Sequence, residues 1–347
     1  MDMLAARLYG KKDLRVERIP LPKINDDEVL VRVRAATICG TDLRMYLNGT
    51  PQACSDNPLV LCHEFAGDIE AVGANVTGYK PGLRVCVAPN IGCGLCDLCV
   101  AGNSHHCSEL SAIGIHTDGG FAEFVRIPAG AVRLGNITPI GDNISYLAAA
   151  TNEALSCAYN AFEFYGINPG ETVVIIGAGA IGLMHAQMAK MAGAAKIILN
   201  DLSQERLAEC AALAPYVITI KDNLRDNVMK ETGGRGADVV ITACSAASAQ
   251  RDALTLAALN SRVNLFGALP KGKEVVPLDT NLIHYKQISL TGTTRASHAH
   301  YRKTLDLIAS GLVDVDSLVT HKYPLADIEE AFKNAAGAVG LRHAIVF

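Results

Sequence analysis

The chain has no excess of basic residues. Lysine and arginine number 31 against 35 aspartates and glutamates, and the formal net charge is −4. The basic residues are scattered along the chain. A sequence-independent nucleic-acid binder is therefore excluded, because such a protein needs a basic face to neutralise phosphates. Long hydrophobic runs are missing as well. The most apolar stretch, residues 173–184, carries three glycines and is shorter than the ~20 residues a membrane-spanning helix requires. No basic segment followed by an apolar run opens the chain, so no signal peptide is expected and a cytoplasmic location follows. Internal repeats and low-complexity segments are absent. In a reducing compartment the eleven cysteines point to metal binding or burial, not disulfides.

What is present is a chain of 347 residues, half apolar and 19% charged, the size of roughly two soluble domains at ~100–200 residues each. Four cysteines, Cys93, Cys96, Cys99 and Cys107, form the string Cys-x2-Cys-x2-Cys-x7-Cys in a loop-like stretch. Two-residue spacing lets neighbouring thiolates converge on one tetrahedral ion with Zn–S bonds near ~2.3 Å. Four sulfurs leave no open position, so a structural zinc is expected. His105 and His106 flank Cys107, find that coordination sphere full, and are expected to be solvated.

The first part of the chain reads as β-rich. Residues 29–34 and 121–125 show strand-like apolar content with partial alternation, punctuated by Pro20, Pro22, Pro81-Gly82 and Gly119-Gly120. From about residue 147 the texture changes. Strands are expected at 172–176, 196–200, 216–220, 238–243 and 262–266, with helices ending near Met191 and spanning 203–213. Such alternation implies parallel strands joined by right-handed helical crossovers.

Gly177-Ala178-Gly179-Ala180-Ile181-Gly182 matches G-x-G-x-x-G between a predicted strand and a predicted helix. The first glycine permits the tight turn, the second lets backbone approach a pyrophosphate, and the third allows close helix–strand packing. The helix N-terminus then offers unpaired N–H groups to the phosphates. Asp201 follows at the end of the next predicted strand, where a carboxylate accepts from ribose hydroxyls and repels a 2′-phosphate. The expected cofactor is NAD, with Arg206 lining the adenine side.

Cys39, the pair His63-Glu64 and Glu153 are dispersed, and by spacing alone none is compelling. A lone cysteine or histidine is more often packed core than ligand. Taken together, however, the Cys39-Gly40-Thr41-Asp42 segment, His63-Glu64, the four-cysteine lobe, the Glu153 segment and the glycine fingerprint span essentially the whole chain. In this combination the chain resembles the zinc-dependent medium-chain dehydrogenase/reductase (alcohol dehydrogenase) superfamily, in its polyol and threonine dehydrogenase branch.

That resemblance implies an α/β protein with two domains. A GroES-like, partly open β-barrel catalytic domain comprises residues 1–147 and 290–347, and a Rossmann doubly wound parallel sheet comprises residues 148–289. It implies two zincs per chain. Cys39, His63 and Glu153 would hold the catalytic zinc with Glu64 beside it, and Cys93, Cys96, Cys99 and Cys107 the structural one. Thr41 would take the substrate proton. Gly177, Gly179, Ala180, Ile181, Gly182, Asp201, Arg206, Gly267 and Thr293 would form the NAD site. Arg295 matches a substrate-contacting arginine of polyol dehydrogenases. With Thr41, Glu153 and Arg44 it would face a sugar alcohol or polyol phosphate, and His298 and His300 would add polar groups nearby. A threonine dehydrogenase, a general secondary alcohol dehydrogenase and a non-catalytic nucleotide-binding homologue are the alternatives. The resemblance also implies a homotetramer or homodimer, with no nucleic-acid or membrane partner.

Three departures stand out. Cys62 takes the place of a glycine before His63-Glu64 and is expected simply to pack. Arg44 takes the place of a histidine proton relay, and a guanidinium cannot shuttle protons near neutral pH. Ala154 replaces a proline, which bears on loop rigidity.

Overall fold

The computed structural model describes residues 2–347. The chain forms two compact units, one comprising residues up to Ser156 together with Ala296–Phe347, the other Cys157–Arg295. The sequence-based boundaries at 147/148 and 289/290 lie earlier. The change of texture marks the start of helix Tyr146–Tyr165, whereas the division falls within that helix.

The second unit is built on six parallel strands in the spatial order Ile218–Ile220, Lys196–Asn200, Thr172–Ile176, Ala237–Thr242, Ala257–Leu265, Ser289–Gly292. This doubly wound order places a ligand crevice at the carboxyl ends of the strands where the order reverses, beside Thr172–Ile176. That strand is buried along its whole length because both sheet faces are covered. Its β-branched side chains suit a pleated surface, and burying each Val or Ile contributes about 1.5–3 kcal/mol before chain entropy is counted. Helix Ala180–Met191 is apolar on nearly all sides and mostly buried. The last strand, Ser289–Gly292, is too short and polar to have been distinguished from the domain boundary.

In the first unit, a mixed sheet of seven strands carries the site. Strand Val29–Thr37 pairs antiparallel with Phe65–Val72 on one side and with Arg342–Val346 on the other. The sequence reading ended the first of these at 34 and placed another strand at 121–125. The structure extends the former to Thr37 and places the latter at Phe124–Ile127. This register decides the chemistry. Ala36 lies opposite Phe65 and Thr37 opposite Ala344, so the chain just beyond each strand end converges on one place. The core beneath includes Phe65, Phe121 and Phe332, with the rings of Phe121 and Phe332 edge-to-face at 5.7 Å.

Candidate catalytic and cofactor sites

Cys39 is the N-cap of helix Gly40–Asn48, immediately past strand Val29–Thr37. Asp42, three residues on, turns back to accept the Cys39 N–H at 2.9 Å, closing a capping box. The buried Asp42 also accepts the Cys62 N–H at 3.3 Å, and its Oδ1 lies 3.7 Å from His63 Nδ1. His63 and Glu64 immediately precede strand Phe65–Val72, and the Glu64 carbonyl accepts the Thr37 N–H at 2.9 Å. Ligating atoms of Cys39, His63 and Glu64 thereby come within 4.8 Å of one another. Glu153, on helix Tyr146–Tyr165, is buried, and its charge is felt at His63.

Arg342 and Thr37 bind Glu64 Oε2 from the neighbouring strands. Among the described residues, Glu64 Oε1 and His63 Nδ1 are buried with no hydrogen-bond partner. Burial pushes the Glu64 carboxyl up, but the Arg342 charge and then His63 outweigh it, so Glu64 stays ionised. Burial pushes the Cys39 thiol up, and Glu64 adds to this. At His63 burial opposes protonation, but Cys39 and Asp42 outweigh it and raise the pKa well above the usual range. Burial lifts Asp42 to about 6. A sulfur, an imidazole and a carboxylate held together, with protons retained on Cys39 and His63, fit a divalent cation, which displaces those protons as it binds. The orphaned carboxylate oxygen is the observation that favours the metal.

Cys62 is buried and sits at φ 85, a left-handed backbone that side chains rarely adopt. A glycine would adopt this backbone freely, whereas Cys62 holds it under strain. The thiol packs as expected, donating to the Glu64 carbonyl at 3.2 Å, and burial pushes its pKa well up.

The four cysteines of the loop also converge. Their sulfurs lie within 4.8 Å of one another, with Cys93–Cys99 and Cys96–Cys107 each at 3.9 Å. A tetrahedron with Zn–S arms of ~2.3 Å has an edge of about 3.8 Å, whereas a disulfide needs ~2.05 Å. Backbone N–H groups of Leu95 and Cys96 point at Cys93 Sγ, which holds that thiol down at about 7. Loss of solvent contact pushes Cys99 up to about 12. His106 is exposed as expected, but His105 is not solvated. It is buried, with its ring 4.2 Å from that of His106 and 6.0 Å from that of His300.

In the second unit, Gly177 lies at φ 117 and Gly179 is the N-cap of helix Ala180–Met191, whose first two residues are Ala180 and Ile181. A side chain at Gly182 would meet the Gly177 carbonyl oxygen at 2.0 Å. A side chain at Gly179 would meet, among the described residues, Arg206 Nη1 at 3.9 Å and nothing nearer outside its chain neighbours, so this backbone is open to an incoming phosphate. Arg206 thus leans over the glycine turn. Asp201 accepts the N–H of Ala178 at 2.8 Å and of Ser203 at 2.9 Å, one on each carboxylate oxygen. A cavity of about 720 Å³ opens beside it, lined by Gly177, Asp201, Lys221, Asn223 and Arg225 among others. Gly267 packs its backbone against Cys244, and Thr293 Oγ1 is buried without a hydrogen-bond partner among the described residues. An open glycine turn at a helix N-terminus and this cavity fit a dinucleotide.

Residues 25–136 match the alcohol dehydrogenase GroES-like domain family, and residues 180–310 match the zinc-binding dehydrogenase family. The chain belongs to the zinc-containing medium-chain alcohol dehydrogenase superfamily. Alcohol dehydrogenases of this superfamily are zinc-dependent oxidoreductases, and this chain is one. It is 33% identical to a sorbitol dehydrogenase of Bacillus subtilis over 96% of this chain and 94% of that one. It is 34% identical to an L-threonine 3-dehydrogenase of Bacillus licheniformis over 93% and 92%. A zinc-binding dehydrogenase of Sinorhizobium meliloti, solved with NADP, superposes with TM-score 0.89 at 30% identity over the full length of both chains. An alcohol dehydrogenase of Escherichia coli CFT073, solved with NADH, gives 0.89 at 26% identity over 100% and 99%. Among the described residues of this dehydrogenase no helix is long and apolar enough to cross a membrane.

Several residues around the clusters escaped sequence reasoning. Asp42 had a local signal, an acid at capping-box spacing from Cys39. Arg342 had none, since 278 residues separate it from Glu64. His298 and His300, expected near substrate, each make a hydrogen bond within the protein. His298 Nε2 pairs with the Asn90 carbonyl at 3.2 Å, and His300 Nδ1 accepts the Ser297 N–H at 3.2 Å in a helix cap. Arg295 is exposed at φ 58, and its carbonyl accepts from Asn160 at 2.9 Å.

Proposed function

We propose that this dehydrogenase interconverts a secondary alcohol and its ketone with NAD(H), acting on a sugar alcohol or polyol phosphate. Cys39, His63 and Glu153 hold the catalytic zinc with Glu64 beside it, and the four-cysteine loop holds a second zinc. The convergence of Cys39, His63 and Glu64 around an unpartnered carboxylate oxygen supports this reading above all. A zinc there would supply Lewis acidity to the alcohol oxygen, and NAD would supply the hydride acceptor.

The chain's own residues do the rest. Asp42 orients His63 from its Nδ1 side. Arg342 keeps Glu64 anionic. Thr41 takes the alcohol proton at Oγ1, where Arg44 already donates at 3.4 Å, and passes its own hydroxyl proton on to water or a ribose hydroxyl. Arg295 donates to substrate hydroxyls. Gly179 and the N–H groups of helix Ala180–Met191 bind the pyrophosphate, with Gly267 and Thr293 completing the site. The Asp201 carboxylate favours NAD over NADP by repelling a 2′-phosphate. The protein works as a homodimer or homotetramer.

The test is metal analysis with a substrate panel. Two zincs per chain and NADH formation from polyols are expected. Cys39→Ser should retain folding and NADH binding while losing turnover, and near-wild-type kcat in that variant would refute the assignment.

A further inference from the structure

Arg44 lies one turn beyond Thr41 on helix Gly40–Asn48. Its guanidinium is exposed, and Nη2 donates to Thr41 Oγ1 at 3.4 Å. Among the described residues no carboxylate pairs with it. The acid nearest along the helix, Asp42, is buried and serves the N–H groups of Cys39 and Cys62. A guanidinium is always charged and only donates, so Arg44 cannot relay a proton. It is a fixed cation without a counter-ion, one hydrogen bond from the hydroxyl that meets the reacting alcohol. Its planar fork matches the paired oxygens of a phosphate or a carboxylate.

We infer that Arg44 is a specificity-determining residue that selects alcohols bearing an anionic group, a phosphate monoester or a carboxylate, over neutral polyols. The inference rests on the function proposed above, because it places the substrate at Thr41. Thr41 Oγ1 then holds one donor, Arg44, on its lone pair, while the guanidinium's remaining N–H groups reach the anion. Rim charges of this kind act through salt-sensitive attraction.

The test uses the zinc-loaded protein with NAD and sets of hexitols, their phosphate monoesters and the matching sugar acids. Arg44→Ala should raise KM for the best anionic substrate at least tenfold more than for its neutral parent, with a smaller change in kcat. Arg44→Lys should recover part of the loss. Whether phosphates or sugar acids respond identifies the anion. Equal KM factors for charged and neutral partners, or a wild-type preference for the neutral parent, would overturn the inference. Thermal unfolding of the NAD-loaded protein gives a second readout. Phosphate esters should raise Tm for wild type but not for Arg44→Ala. If no substrate is turned over, the proposed function fails, and this Tm comparison still decides whether Arg44 binds the anion.

Discussion

Gly179 and Gly182 belong to one motif but serve different ends, so alanine at each should separate folding from cofactor binding. At Gly182 the added carbon would sit 2.0 Å from the Gly177 carbonyl oxygen, where ordinary contact begins at 3.4 Å. The turn must open by more than an ångström in a fully packed region. Overpacking of this kind costs about 1–3 kcal/mol, or roughly 1–4 °C in Tm for a chain of 347 residues. At Gly179 the carbon meets nothing closer than 3.9 Å, and φ is −90, which alanine adopts freely. The protein without cofactor should be unchanged or slightly stabilised, by about 0.4–1 kcal/mol, through a less flexible unfolded chain. The methyl would instead occupy the approach proposed for the pyrophosphate. Losing one charge-assisted hydrogen bond, worth about 1.5–3 kcal/mol, weakens NADH roughly 10- to 100-fold. Thermal unfolding followed by circular dichroism reads the first effect, and titration of NADH fluorescence reads the second. If Gly179→Ala binds NADH like wild type, this turn does not hold the pyrophosphate.

The other predictions concern staples and buried charge. Cys93→Ser should remove one zinc equivalent by elemental analysis and lower Tm, because a structural zinc contributes folding energy directly. Arg342→Met leaves Glu64 as an uncompensated buried charge and should destabilise the chain by about 3–5 kcal/mol in urea unfolding at neutral pH; an unchanged midpoint would show Glu64 compensated by another group. Glu171 is pushed up by burial, but the Asn168 backbone and side chain and then Arg262 outweigh this and hold its pKa below the ordinary value. A depressed carboxylate contributes stability above its unfolded pKa and loses it as pH falls through the folded one. Glu171→Gln should therefore be less stable than wild type at pH 6, with the gap closing toward pH 3 in guanidinium titrations.

Much of the second unit was legible because its signals are local. Strands Thr172–Ile176 and Lys196–Asn200 fall where the apolar runs end, since a fully covered parallel strand must be apolar throughout. Strand Ile218–Ile220 starts two residues later than the sequence reading, because Tyr216 and Val217 belong to the turn before it. The solvated reading of His105 failed for a different reason. Its ring lies beside those of His106 and of His300, and the latter comes from far along the chain.

The sequence by itself determined the parallel αβ series, the glycine turn, the cysteine loop and the identity of the ligand candidates. Each depends on residues within one turn, one strand or one short spacing. Tertiary structure alone decided that Cys39, His63 and Glu64 converge, and that Arg342 neutralises Glu64. It also decided that Arg44 stands over Thr41 without a counter-ion. Those facts depend on how strands Val29–Thr37, Phe65–Val72 and Arg342–Val346 are registered. A shift of one residue in that pairing would turn the same side chains to the opposite face.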